Sequence, residues 1–165
     1  LNTVSHMADT VFIAGEFGTA IVLDDDGNWK SVYESIRQEE VVMPYWIESS
    51  VRGQNIVLVG AGGVASMTSD GGDNWVKHNM KTDNGIFDVA LSANNTAIVA
   101  GAVGTVAMLK GAEWEVADRS GLNLIAWLKS VVILGDDSYL VAGGRGSLVL
   151  YKNKAWSKLN LRSMN

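Results

Sequence analysis

Cysteine is absent from this 165-residue chain, which excludes disulfides, thiolate nucleophiles and thiolate metal sites. Proline occurs once, at Pro44, against eighteen glycines, so the chain turns often and is no Pro-rich linker. Basic residues are outnumbered, 13 to 18, and never run together. The resulting net charge of −5 repels phosphate backbones, and nucleic acid is not an expected partner. No apolar run approaches the roughly 18 residues that span a bilayer, so membrane insertion is not expected. Neither is a signal peptide visible. The first residue is Leu1, not Met, which reads as a chain processed, trimmed or cut from something longer. The lack of cysteine leaves the compartment unknown, with an extracytoplasmic one (periplasmic, lumenal or virion) favoured.

What the chain does have is a repeat, and 47% apolar residues to bury within it. Four segments align: VFIAGEFGTAIVLDDDGNW, NIVLVGAGGVASMTSDGGDNW, TAIVAGAVGTVAMLKGAEW and SYLVAGGRGSLVLYKNKAW. Each is an apolar run, a G-x-x-G step, a second apolar run, a polar turn and a tryptophan. The glycine pairs are Gly15/Gly18, Gly60/Gly63, Gly101/Gly104 and Gly143/Gly146, with first glycines 45, 41 and 42 residues apart. Trp29, Trp75, Trp114 and Trp156 follow the second glycines by 11, 12, 10 and 10 residues.

The runs are short and β-rich, and end at glycine. Turn formers separate the second run from the tryptophan: Asp26-Gly27, Asp70-Gly71-Gly72, Lys110-Gly111 and Lys152-Asn153. A further strand precedes each unit across another polar turn, giving four strands per repeat, A to D. The G-x-x-G step is then the plain connection from strand B to strand C. No segment keeps helical periodicity for long. The apolar stretch 122–134 lacks clear alternation but aligns with 86–92, so it reads as strand. Four antiparallel strands at this period predict an all-β fold, a β-propeller of four blades, in one domain or fragment. The blades fall at about 1–34, 41–80, 84–118 and 124–162. Because blades pack face to face, four of them form part of a seven- or eight-bladed ring, half of a ring completed by a second copy, or a closed four-bladed ring. The first two are favoured.

Thr68-Ser69-Asp70-Gly71-Gly72-Asp73-Asn74-Trp75 resembles the Asp-box (BNR repeat) of sialidase-type propellers. With the preceding G-x-x-G it is also similar to the repeat of the photosystem II stability/assembly factor-like family. The first repeat keeps Asp24, Asp25, Asp26, Gly27 and Trp29 but is one residue short, and the last two lose the aspartate. The resemblance implies a propeller and, more weakly, help in assembling other proteins. Asp70 is expected to fix its turn by accepting backbone hydrogen bonds, and Trp75 to wedge between sheets. Catalysis is not expected. Only five arginines are present, and the two histidines, His6 and His78, lie on different repeats. No nucleophile elbow or P-loop occurs, and no cofactor or metal site is predicted.

Alternating strands sort the B–C turns and the inter-blade D–A loops onto one face, the usual ligand side of a repeat fold. It would carry the tips Glu16-Phe17, Ala61-Gly62, Ala102-Val103 and Gly144-Arg145, with loops 34–44, 78–85 and 118–126. The first loop is longest and least repeat-like. Arg37, Glu39, Glu40, Met43, Tyr45 and Trp46 in or beside it suit protein recognition, although a solvated connector with Trp46 in the core is the blander reading. Phe17, Arg119 and Arg145 complete the candidate binding set. Three roles follow: a protein-binding scaffold, a carbohydrate-binding propeller using Phe17, Tyr45, Trp46 and Trp127, or a structural part of a virion or envelope complex. Its partner is then another protein, a second copy of itself or a glycan.

Overall fold

Short β-rich runs bounded by turn formers give strands that pair with their sequence neighbours, and the chain does this four times over. The computed structural model describes residues 1–7, 10–24, 26–37, 43–118 and 121–160. The first sheet holds β1 (Thr3–Met7), β2 (Thr10–Ala14), β3 (Ala20–Leu23) and β4 (Trp29–Ser31). The second holds β5 (Trp46–Arg52), β6 (Asn55–Gly60), β7 (Val64–Thr68) and β8 (Val76–Asn79). In the third are β9 (Ile86–Leu91), β10 (Ala97–Gly101), β11 (Val106–Lys110) and β12 (Glu113–Val116). The fourth comprises β13 (Leu128–Gly135), β14 (Ser138–Gly143), β15 (Ser147–Lys152) and β16 (Ala155–Lys158). Every sheet is an antiparallel meander in chain order, so the expected four blades of four strands are what the chain forms. The stretch read as strand is strand from Leu128 onward.

Two kinds of connection depart from expectation. The first inter-blade loop begins with a single helical turn, α1 (Tyr33–Ile36). Its Ile36 is fully buried and its carbonyl accepts a hydrogen bond from Ser66 Oγ at 3.3 Å. The second concerns Gly63 and Gly104, which join strand B to strand C as expected but at the end of a tight turn with left-handed residues. Each ends a short 3-10 turn, Ala61–Gly63 and Ala102–Gly104, and Gly146 ends a third, Gly144–Gly146. In the third blade the turn is closed by Thr105 N–H donating to the Ala102 carbonyl at 2.9 Å, the i to i+3 bond of that geometry. Both Gly63 and Gly104 are buried, so neither is part of the exposed tip. The reason is the neighbouring loop: a Cβ on Gly63 would collide with the Thr82 carbonyl oxygen.

The strands β1, β5, β9 and β13 pack side by side in that order, while β13 makes no comparable contact with β1. The four sheets are therefore an open arc rather than a closed four-bladed ring. Three cores lie between consecutive sheets. Strand alternation sends Val57 and Val59 of β6 toward the third sheet, and Ile56 and Leu58 toward the first. All four side chains are fully buried, because the second sheet is covered on both faces. Each such burial stabilises the fold by roughly 1.5–3 kcal/mol.

The sheets at the ends of the arc have one covered face each. In the first, Phe12, Ala14 and Ala20 are buried toward the second sheet. On the opposite face Ile13 pairs with Val4 and Ile21, and Leu23 pairs with Trp29. Trp29 is 51% exposed and Val4 68%. In the fourth sheet Tyr139, Val141 and Val149 are buried, Tyr139 and Val141 within the core shared with the third sheet. Leu140 lies on the other face, paired with Val132 and Leu150.

Candidate binding face

The G-x-x-G step is explained by two different demands. The first glycine lets the start of strand A approach its neighbour: a Cβ on Gly60, Gly101 or Gly143 would collide with the carbonyl oxygen of Tyr45, Gly85 or Trp127. Those carbonyls accept hydrogen bonds from the next residues, Ala61 at 2.9 Å, Ala102 at 2.8 Å and Gly144 at 2.8 Å. The second glycine has a left-handed backbone, with φ of 71° at Gly18, 68° at Gly63, 65° at Gly104 and 66° at Gly146. Between them the tip residue is left-handed as well: Phe17 (φ 55°), Gly62 (72°), Val103 (51°) and Arg145 (58°). A positive φ is costly for a β-branched valine, so the turn geometry is enforced from both sides. The outcome is one residue per blade pushed outward on the same face. Phe17 is 75% exposed and Val103 57%, and Arg145 is exposed.

The D–A loops reach that face too, as Gly18 N–H donating to the Pro44 carbonyl at 2.8 Å shows. Tyr45 joins Phe17 there. Its hydroxyl donates to Glu16 at 3.0 Å, and Met43 lines a concavity with Phe17 and Tyr33. Arg37 stands at the end of α1, ion-paired to Glu34 at 2.8 Å and exposed, which is worth little energetically. Glu39, Glu40 and Arg119 lie outside the described residues. Of the two readings of Trp46, core and contact, the structure bears out the core one and removes it from the candidate binding set. It is fully buried between the first and second sheets, because it opens β5 and pairs with the first glycine of its blade. Ile86 and Leu128 occupy the same place opposite Gly101 and Gly143, and are equally buried. That parallel was a readable signal that Trp46 belongs to the core.

A second cluster, at the other end of the face, was not anticipated as a group. Trp127 is 53% exposed and lies against Gly144, where a Cβ would come within 2.8 Å of its ring. Trp127, Phe87 and Lys129 line one shallow hollow, with Lys129 Nζ 5.3 Å from the Phe87 ring centre. Arg145 follows Gly144 in the chain. The sequence marked Trp127 and Arg145 separately, but Phe87 and Lys129 carry no motif. They meet because each is the second residue of an inner strand in neighbouring blades.

The opposite face carries the A–B and C–D turns. In the second blade Asp70 accepts hydrogen bonds from the backbone and side chain of Asn74, at 2.9 and 2.8 Å, and from Thr68 Oγ1 at 2.7 Å. These donors, the Asn74 N–H foremost, hold its carboxyl down at a pKa of about 2. Trp75 Nε1 donates to the Gly72 carbonyl at 2.9 Å, and its ring packs 5.6 Å from that of Phe12. The first blade repeats the turn with Asp24, which accepts from Asn28 N–H at 2.7 Å. No group of three or more metal-ligating side chains occurs among the described residues.

Open arc, inner strand A, outer tryptophan strand and one loop-bearing face together define a segment of a β-propeller. Solved structures agree. The WD40 propeller domain of Doa1 matches with a TM-score of 0.73 at 12% identity, over 95% of this chain and 52% of that one. YCF48 bound to D1 peptide matches at 0.65 and 14%, over 96% of this chain and 53% of that one. The computationally designed Ika4 protein matches at 0.69 and 13%, over 91% of each. At these identities the likeness is one of fold. The chain spans about half the length of the Doa1 and YCF48 chains. No protein-family model matches the sequence, and no curated protein matches it.

Proposed function

We propose that the chain is a non-catalytic propeller scaffold that binds a protein partner, of the assembly-factor type that its repeats resemble. The observation that carries this reading is the Trp127 cluster. It sets a half-exposed tryptophan and a phenylalanine beside Lys129, with the exposed Arg145 one residue along the chain from Gly144, on a chain whose net charge is −5. Exposed aromatics with arginine are the residues that dominate protein interfaces, and the local positive charge selects an acidic segment of the partner. The side chains gathered around Trp127 are aromatic and cationic, a set suited to recognition. That YCF48, a propeller of similar shape, binds D1 peptide supports a peptide as the class of ligand.

An array of peptides with acidic and aromatic residues tests the proposal. Trp127→Ala and Arg145→Ala should each weaken the selected peptide about tenfold or more, the loss typical of an interface anchor. Full affinity in both variants would sink the reading. Retention of glycans but no peptide on a parallel array would replace it with the carbohydrate-binding one.

A further inference from the structure

The two open ends of the arc carry complementary halves of the interface that joins consecutive blades. In the second, third and fourth blades the strand D tryptophan packs on the preceding sheet: Trp75 on the first, Trp114 on the second, Trp156 on the third. At each interface it shares a core with the residue three before the first glycine of the preceding blade. Those pairs are Phe12 with Trp75, Val57 with Trp114 and Ile98 with Trp156. Two members of this series have no partner sheet. Trp29 belongs to the first blade and is 51% exposed, against 7% for Trp114. Leu140 belongs to the fourth and points away from the third sheet.

The surrounding residues continue the match. Val11 and Ile13 on the open face of the first sheet stand where Ile56 and Leu58 are buried in the second. Ala142, Leu148 and Leu150 on the open face of the fourth stand where Ala14, Ala20 and Val22 meet the second sheet from the first. One end therefore presents the surface that receives a following blade, and the other the surface that sits on a preceding blade.

We infer that a second copy of this chain closes the ring, the fourth blade of each copy packing on the first blade of the other. Leu140 then covers Trp29 of the second copy, twice, by the same geometry that sets Phe12 on Trp75. Four blades from each copy make eight, within the range of closed propellers. The arrangement is a two-fold dimer with both interfaces alike, so it closes and does not grow.

Mass measurement of the chain at micromolar concentration should give twice the 17.7 kDa of one copy. Trp29→Glu or Leu140→Glu should each give single copies with an unchanged far-UV dichroism spectrum. Mixing the two variants should restore a dimer, because one of its two interfaces is then unaltered, at concentrations at least tenfold higher. As a check independent of charged substitutions, Trp29→Cys and Leu140→Cys chains should join through a short bismaleimide only when mixed. The chain has no other thiol. A wild-type monomer, open chains that lengthen with concentration, or crosslinking within either cysteine variant alone would overturn the inference. So would a natural polypeptide whose own further blades fill both faces.

Discussion

The second and third sheets and the first and fourth are written in the same repeat, yet their apolar residues do different things. In β6 and β10 both alternating sets of side chains are buried, so these strands behave like strands of a parallel sheet covered on both sides. In β2 and β14 one set is buried, while the other, chemically just as apolar, stays partly exposed. Burial in this molecule is thus a property of the neighbouring blade and not of the residue. Equivalent substitutions in the two kinds of sheet should separate in energy, and they offer direct ways to break the comparison.

The largest contrast is expected between the tryptophans. Trp114→Ala removes a buried ring and should cost about 4 kcal/mol, whereas Trp29→Ala in dilute, separated chains should cost less than about 1 kcal/mol. Urea denaturation measures both, and equal losses would mean that the first sheet is already covered. Next come Leu58→Ala and Ile13→Ala, at equivalent positions of β6 and β2. The first should cost about 3 kcal/mol and the second roughly a third as much, scaled by the area each hides. Within one turn, Gly60→Ala drives a Cβ against the Tyr45 carbonyl and should cost about 2 kcal/mol. Two residues on, Gly62→Ala meets open space and strains only the backbone, φ 72°, for about 1 kcal/mol.

The smallest effect is electrostatic. The Asp70 carboxyl is held at about 2, below its ordinary 3.8, so the folded state favours its charged form. Its contribution is complete above the ordinary value and is lost as pH falls through about 2. Asp70→Asn should flatten that part of the acid profile, measured as the drop in Tm between about pH 4 and pH 2, and leave Tm above pH 5 lowered by a constant amount. An unaltered acid profile would show that the turn does not draw on the charge.

Much of the fold was legible because its signals are local. Glycines at fixed spacing need positive φ or close approach, Asp70 needs its Thr68 and Asn74 donors, and short β-rich runs leave little but hairpins. The burial of Gly63 in its tight turn was not legible, because the Thr82 loop that presses on it comes from beyond the repeat unit. The candidate site was legible only in parts. Phe17 and Arg145 stand at turn tips whose position the G-x-x-G spacing dictates. Trp46 stayed open between core and contact because its loop invited a surface reading, although Ile86 and Leu128 at the same register already pointed inward. Phe87 and Lys129 could not be found at all, since what joins them is the packing of β9 against β13. Likewise α1 follows from Ile36 finding a core beneath it, not from any run of helix formers.

The sequence by itself therefore determined how many sheets form, where each strand turns and which residue tips each turn. These depend on backbone preferences spanning a few residues. The tertiary structure alone decided which of the alternating apolar sets is buried, which loops share a face and which sheets keep an uncovered side. Trp29 and Trp114 make the point together. They hold the same place in the repeat, but only one has a blade in front of it, and burial is settled by that neighbour.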